Sequence, residues 1–443
     1  MRYLRDKNKF NRMKTRLFLI VSALWIMAGC DPEIEGYKPT SGDADFSVYV
    51  ALGNSITAGY ADAELFKSGQ MVSYANIIAK QMLHAGGGEF KQPLMRDEYG
   101  FGGRIKLGMA TDCIGNTGLG GVFFGESPEA GNFSNIYAEE GPFHNMGVPG
   151  AQVSHLLLPG YSMLNPYYSR FASSSTARII DDATALNPTF FSLWIGNNDV
   201  LGYASSGGMS GSITPPEQFE IYYNLIVNQL LSETSKGILA NIPDITSIPF
   251  FNTIPARGLV LMNPDEIASL NDHYSSQGLH HINFQMGVNG FVVSDPSAPQ
   301  GIRQLASYEL MLVTLPQDSL KCAGWGSTKP IPMQYYLSEL QVKEIREAIK
   351  AYNSIIGNAA AENNIALADV NHLLTEAKSG MIFDGIHFNT QYVTGGLFSL
   401  DGVHLSPRGN AVVANYFIDV INEHYGAGIP KVSVTQYQGI IFP

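Results

Sequence analysis

Short apolar runs punctuate this chain at wide intervals, with amphipathic stretches between them. The segments Phe46–Leu52, Phe143–Met146, Thr189–Ile195, Gly237–Ile242 and Ile365–Val370 predict strands. Most are apolar on both faces, which is the mark of a sheet covered by helices on each side. Ser338–Asn363 predicts a long helix. Ser338 and Gln341 hold capping-box spacing, and Ile345, Ile349, Tyr352 and Ile356 recur on one face. Ser406-Pro407 predicts an N-cap and first turn for a last helix striped by Val413, Phe417, Val420 and Ile421. The predicted fold class is α/β, a three-layer α/β/α sandwich around a mostly parallel five-stranded sheet. Residues 61–140, with Gly86–Gly88 and Gly118–Gly121, and residues 250–336 exceed such a core and are read as two large insertions. Long excursions of this kind predict lids or pocket walls.

The amino terminus departs from this pattern. Arg2, Arg5, Lys7, Lys9, Arg12, Lys14 and Arg16 precede the apolar run Leu17–Gly29, which is short for a membrane span. Basic flank and short run together predict an export signal over residues 1–29, against the alternatives of a buried helix or an amino-terminal anchor. Residues 30–43 then read as a polar tether, 44–426 as the folded domain and 427–443 as a carboxyl-terminal tail. Without the first 29 residues the 443-residue chain holds 20 basic against 38 acidic side chains. That balance excludes nucleic acid as a partner, because phosphate binding needs concentrated Lys and Arg. Cys113 and Cys322 both fall in the insertions, and in an exported protein they are either one disulfide or two buried thiols.

Candidate chemistry sits where predicted strands end. The run Tyr49–Gly53 delivers Ser55 on a strand-to-loop turn, clear of the sheet. A serine hydroxyl needs a base and an orienting carboxylate to act as a nucleophile. Asp401-Gly402-Val403-His404, just before the last helix, supplies both. The carboxylate can fold back on one ring nitrogen and leave the other to face outward. Asp384-Gly385-Ile386-His387 has the same spacing but no helix start behind it, so Asp401 and His404 are preferred. Asn198 follows a third strand and Gly150 a second, each able to aim an N–H at a developing oxyanion.

These four segments resemble the blocks of the SGNH, or GDSL, hydrolase family. Gly53-Asn54-Ser55-Ile56 stands for the GDS block, Asn145 to Gly150 for the glycine block, Gly196-Asn197-Asn198-Asp199 for the GxND block, and Asp401 to His404 for the DxxH block. The resemblance implies a flavodoxin-like fold and a cofactor-free ester hydrolase with Ser55, His404 and Asp401 as triad. It also implies Ser55, Gly150 and Asn198 as oxyanion donors, with no metal. The expected substrate is a small-molecule, lipid or acylated-glycan ester. Asn54 departs from the usual Asp and keeps one acceptor for bracing the turn. Ile26–Cys30 resembles the lipobox of bacterial lipoproteins, which implies a lipid on Cys30 and an exported domain tethered to a membrane by that lipid alone.

Other classes fit less well. The pentapeptide G-x-S-x-G of the α/β-hydrolases is absent. Gly118-Leu119-Gly120 lacks the third glycine and the preceding strand of a dinucleotide site. His280-His281 lacks the spaced partners of a zinc site. A surface lipoprotein that binds glycans or lipids on a decayed hydrolase fold is the alternative from a different class.

Overall fold

Every residue of Tyr49–Gly53 is buried, as befits an interior strand with a neighbour on each side in the sheet. The computed structural model describes residues 38–125, 128–234 and 236–443, and in it residues 39–443 form one unit. The stretch read as an export signal, and Cys30, lie outside the described residues. The core strands in chain order are β1 (Tyr49–Gly53), β2 (Asn145–Gly147), β3 (Phe190–Trp194), β4 (Gly237–Ala240) and β5 (Ala366–Ala368). They pair throughout in parallel, in the order β5-β4-β3-β1-β2. All five predicted strands are present and each is shorter than predicted, β1 and β2 starting later and ending one residue further on, and the order is the flavodoxin-like one. It reverses between β1 and β3, where such sheets open a crevice at their carboxyl edge.

Seven helices carry the argument: α1 (Ser55–Ala58), α2 (Tyr74–Met82), α3 (Asn198–Ser205), α4 (Pro216–Leu231), α5 (Glu339–Glu362), α6 (Val370–Ser379) and α7 (Pro407–Tyr425). α2 packs on α7, and the β3 residue Trp194 meets Tyr74 of α2 and Phe417 of α7. In the other pair α4 packs on α5, with Phe219 stacked between Tyr223 and Tyr352. The capping box of α5 closes in both directions: Ser338 Oγ accepts from Gln341 N and Gln341 Oε1 from Ser338 N. Among the described residues no helix is long and apolar enough to cross a membrane.

Three boundaries differ from the sequence reading. The unit starts at Pro39, inside the stretch read as tether: Thr40 O accepts from Gly428 N, and Asp43 N donates to Tyr425 O at the end of α7. The stretch read as tail is core as far as Val434, because Ile429 and Val434 are buried and Asn415 pairs with Val432 in both directions. The first insertion was drawn too wide. α2 lies within 61–140 yet belongs to the main core, with Tyr74, Ile77, Ile78 and Met82 buried. A parallel β1–β2 pair needs a crossover, and α2 lies on that connection.

What projects is the hairpin Ile105–Thr111/Thr117–Phe123. The 250–336 excursion builds two small cores of its own, one around Phe291, Met311 and Ile331, the other around Leu270, Tyr274 and Phe284. A Cys113–Cys322 disulfide joins the two excursions, with Cα atoms 6.4 Å apart. Beside it Lys321 Nζ lies 2.9 Å from Asp112 Oδ2, and Cys113 N donates to Asp318 Oδ1 at 3.3 Å.

Candidate active site

Ser55 owes its position to two neighbours. A Cβ at Gly53 would collide with Thr57 Oγ1 and Trp194 O, so glycine alone lets β1 turn directly into α1. Asn54 caps that turn, its Oδ1 accepting from Ile56 N at 3.1 Å. The acceptor that Asn keeps in place of Asp is therefore in use. Ser55 begins the helix and is 8% exposed.

His404 reaches it from the far end of the chain. Its Nε2 lies 2.8 Å from Ser55 Oγ and its Nδ1 2.9 Å from Asp401 Oδ2. With Nδ1–H donating to the carboxylate, Nε2 is left to accept from the serine hydroxyl. Asp401 accepts from four donors in all: the imidazole, Val403 N and His404 N on Oδ1, and Ala63 N at 3.0 Å on Oδ2. Burial works to raise this carboxyl. The charge of His404, its hydrogen bond and the two neighbouring backbone N–H groups outweigh burial and hold the carboxyl well below the usual range.

Part of this support has no sequence signal. Asp62 and Ala63 both adopt positive φ, at 52° and 67°, which costs on the order of 1–2 kcal/mol per residue. They are fixed by Leu400 N donating to Asp62 Oδ1, Asp62 N donating to Ser399 Oγ, and the Ala63–Asp401 bond. Tyr60 donates to Ala63 O and lays its ring against the imidazole, with centroids 4.6 Å apart. No glycine or asparagine at 62–63 marks the left-handed turn. The competing pair is not united: Asp384 Oδ2 accepts from Val434 N and Ser433 Oγ, while His387 is exposed on a neighbouring hairpin strand.

The loops after β2 and β3 are laced together. Asn198 Nδ2 donates to Ala151 O at 2.9 Å, leaving its second N–H free to aim elsewhere, and Gln152 Nε2 donates to Asn198 O. Gly150, at φ +80°, is exposed on this rim, with its preceding carbonyl held by Asn165 Nδ2. Asp199 is the buried tie: Val153 N donates to its Oδ2 and Thr214 Oγ1 to its Oδ1. Burial, partly offset by those bonds, pushes this carboxyl up to about 6.

A raised folded value stabilises the protein fully below the ordinary 3.8, and the contribution is lost as pH rises through about 6. Asp199→Asn keeps an acceptor for Val153 N and offers its amide to Thr214 Oγ1. Relative to wild type it is expected to gain stability between pH 4 and pH 8, by up to about 3 kcal/mol. Thermal melts at both pH values check this, and a wild-type-to-variant difference that ignores pH contradicts it.

A narrow slot with about 790 Å³ of free space, its open mouth included, leads away from Ser55 and His404. Its lining includes Asn197 and Asn198, Pro243, Ile245 and Ile248, and residues of α6. The sequence reading expected the insertions to build the pocket. None of the slot's lining residues comes from 61–140 or 250–336. The loops after β1, β3, β4 and β5 already converge there, so the excursions are not needed as walls.

A parallel sheet that carries serine, imidazole, carboxylate and amide groups together at its switch point has the form of a hydrolase, and this chain is one that acts on ester bonds. It belongs to the family described as GDSL-like lipase/acylhydrolase, whose model matches residues 49–417. Similar solved structures include an acetyl xylan esterase from Geobacillus stearothermophilus, at 14% identity over 85% of this chain and 95% of that one, TM-score 0.35. A lipase/acylhydrolase from Enterococcus faecalis matches at 12% identity over 87% and 98%, TM-score 0.33. An extracellular lipase from Streptomyces rimosus matches at 10% over 85% and 98%, TM-score 0.33. No curated protein matches the chain.

Proposed function

We propose that the chain hydrolyses carboxylic esters through Ser55, His404 and Asp401. The observation that carries this reading is the unbroken hydrogen-bonded series from Asp401 Oδ2 through both imidazole nitrogens to Ser55 Oγ. His404 Nε2 takes the hydroxyl proton as Oγ bonds to the acyl carbon. The carbonyl oxygen, now negative, is met by the Ser55 and Gly150 backbone N–H groups and the free N–H of Asn198. His404 returns its proton to the alcohol oxygen as the carbon–oxygen bond breaks. Water then repeats the path and releases the acid, leaving Ser55 protonated. Asp401 stays ionised throughout, holding the imidazole in the tautomer that the first step requires.

The substrate is an external lipid or acylated-glycan ester, and the mature domain is exported and tethered to a bacterial membrane through a lipid on Cys30. The basic run and the lipobox-like end of the signal support that placement. Incorporation of labelled fatty acid is expected in wild type and not in Cys30→Ala, and equal labelling speaks against it. As an oxyanion donor, Asn198 is expected to cost about 10²–10³ in kcat when replaced by alanine. An Asn198→Ala enzyme with unchanged kcat removes it from the site. The reading as a whole is tested by hydrolysis of a chromogenic ester by wild type and Ser55→Ala.

A further inference from the structure

The slot beside Ser55 has two chemically distinct ends. Its polar lining residues, Asn54, Ser55, Asn197, Asn198 and His404, all belong to the loops that carry the candidate chemistry. Beyond them the accessible wall is hydrocarbon. The buried Trp194 Nε1 and Asn197 Oδ1, unpartnered among the described residues, are covered and offer a ligand nothing. Val370, Leu373, Leu374 and Ala377 of α6 line the slot at intervals of three and four, the spacing of a single helix face. Ile245 and Ile248, with Val412 and Val413 of α7, belong to the same apolar lining. All eight are buried, so this part of the slot is walled by side chains of the core.

That shape decides which half of an ester it suits. The alcohol must leave with a proton from His404 Nε2 before water can enter, so it needs an open side. The acyl group stays bonded to Ser55 until water releases it and can occupy a channel walled by core side chains. A wall without donors or acceptors rewards only apolar surface, and a narrow one admits an unbranched chain. Acetate would leave nearly all of that wall untouched.

We infer that this slot is the acyl site, that the acyl group is a linear aliphatic chain longer than acetyl, and that Leu374 and Ala377 set its length. The inference rests on the ester-hydrolase reading and narrows it to one side of the ester. Each methylene that enters the slot raises kcat/KM by roughly fourfold until the channel is full.

The test is kcat/KM along a series of p-nitrophenyl esters from acetate to decanoate, for wild type, Ala377→Leu and Leu374→Ala. Wild type is expected to climb from acetate to a maximum at an intermediate chain. Ala377→Leu fills the channel and lowers the hexanoate-to-acetate ratio about tenfold. Leu374→Ala opens it and moves the maximum to longer chains. A wild type that prefers acetate, or a profile that neither variant moves, overturns the inference and leaves the ester-hydrolase reading standing. A wild type that cleaves no ester of the series overturns both.

Discussion

Ser55→Ala is expected to lower kcat/KM for a chromogenic short-chain ester by about 10⁴-fold or more. The change removes one oxygen, and with it the atom that would bond to the acyl carbon. Its other partner, His404 Nε2, remains held through Nδ1 to Asp401, so the imidazole keeps its place. The turn should survive as well, because Asn54 and Gly53 shape it and neither depends on the hydroxyl. The fold should therefore lose less than about 1 kcal/mol, which a melt of the variant measures. Lost activity with a retained melt assigns the chemistry to this oxygen. Equal rates in the two proteins end the ester-hydrolase mechanism and favour a binding protein on the same fold.

Asp401→Asn should be nearly as damaging to turnover, at about 10⁴-fold, and unlike Ser55→Ala should also weaken the fold. The carboxylate accepts from three backbone N–H groups besides the imidazole. An amide has one acceptor oxygen, and its NH₂ would face donors or force the histidine into the opposite tautomer. Leaving a buried N–H unsatisfied costs about 1–3 kcal/mol. The two effects separate by pH. The depressed folded value of Asp401 means that its stabilisation is complete above the ordinary 3.8 and lost as pH falls through the depressed value. The wild-type advantage in melting should therefore shrink in acid. A variant with normal kcat shows that Asp401 does not orient the base. A melting difference constant from neutral to strongly acid pH contradicts the linkage.

The sequence exposed the sheet because β1 and β3 are buried on both faces and are therefore apolar at nearly every position, the buried Ser192 being satisfied by the Tyr49 hydroxyl. It exposed the candidate cluster because polar residues gather abruptly where those runs end, as Asn54-Ser55 and Asn197-Asn198 do. The fourth donor to Asp401 stayed hidden because Ala63 acts through its backbone, which any residue could supply. The extent of the first insertion was misread because Gly86–Gly88 draws attention as loop while Tyr74–Met82, capped by Ser73, is an ordinary core helix. The slot was also invisible in advance. Its apolar walls come from separate stretches of chain, among them Ile245–Ile248, Val370–Ala377 and Val412-Val413, each legible alone as plain core.

The link between Cys113 and Cys322 ties together two points 209 residues apart in the chain. Synthesis runs from the amino end, so the hairpin tip must wait, thiol unpaired, until almost three-quarters of the polypeptide has been made. Once closed, the covalent ring contains β2, β3 and β4 of the sheet. Removing either excursion alone would therefore leave the other with an unpaired sulfur.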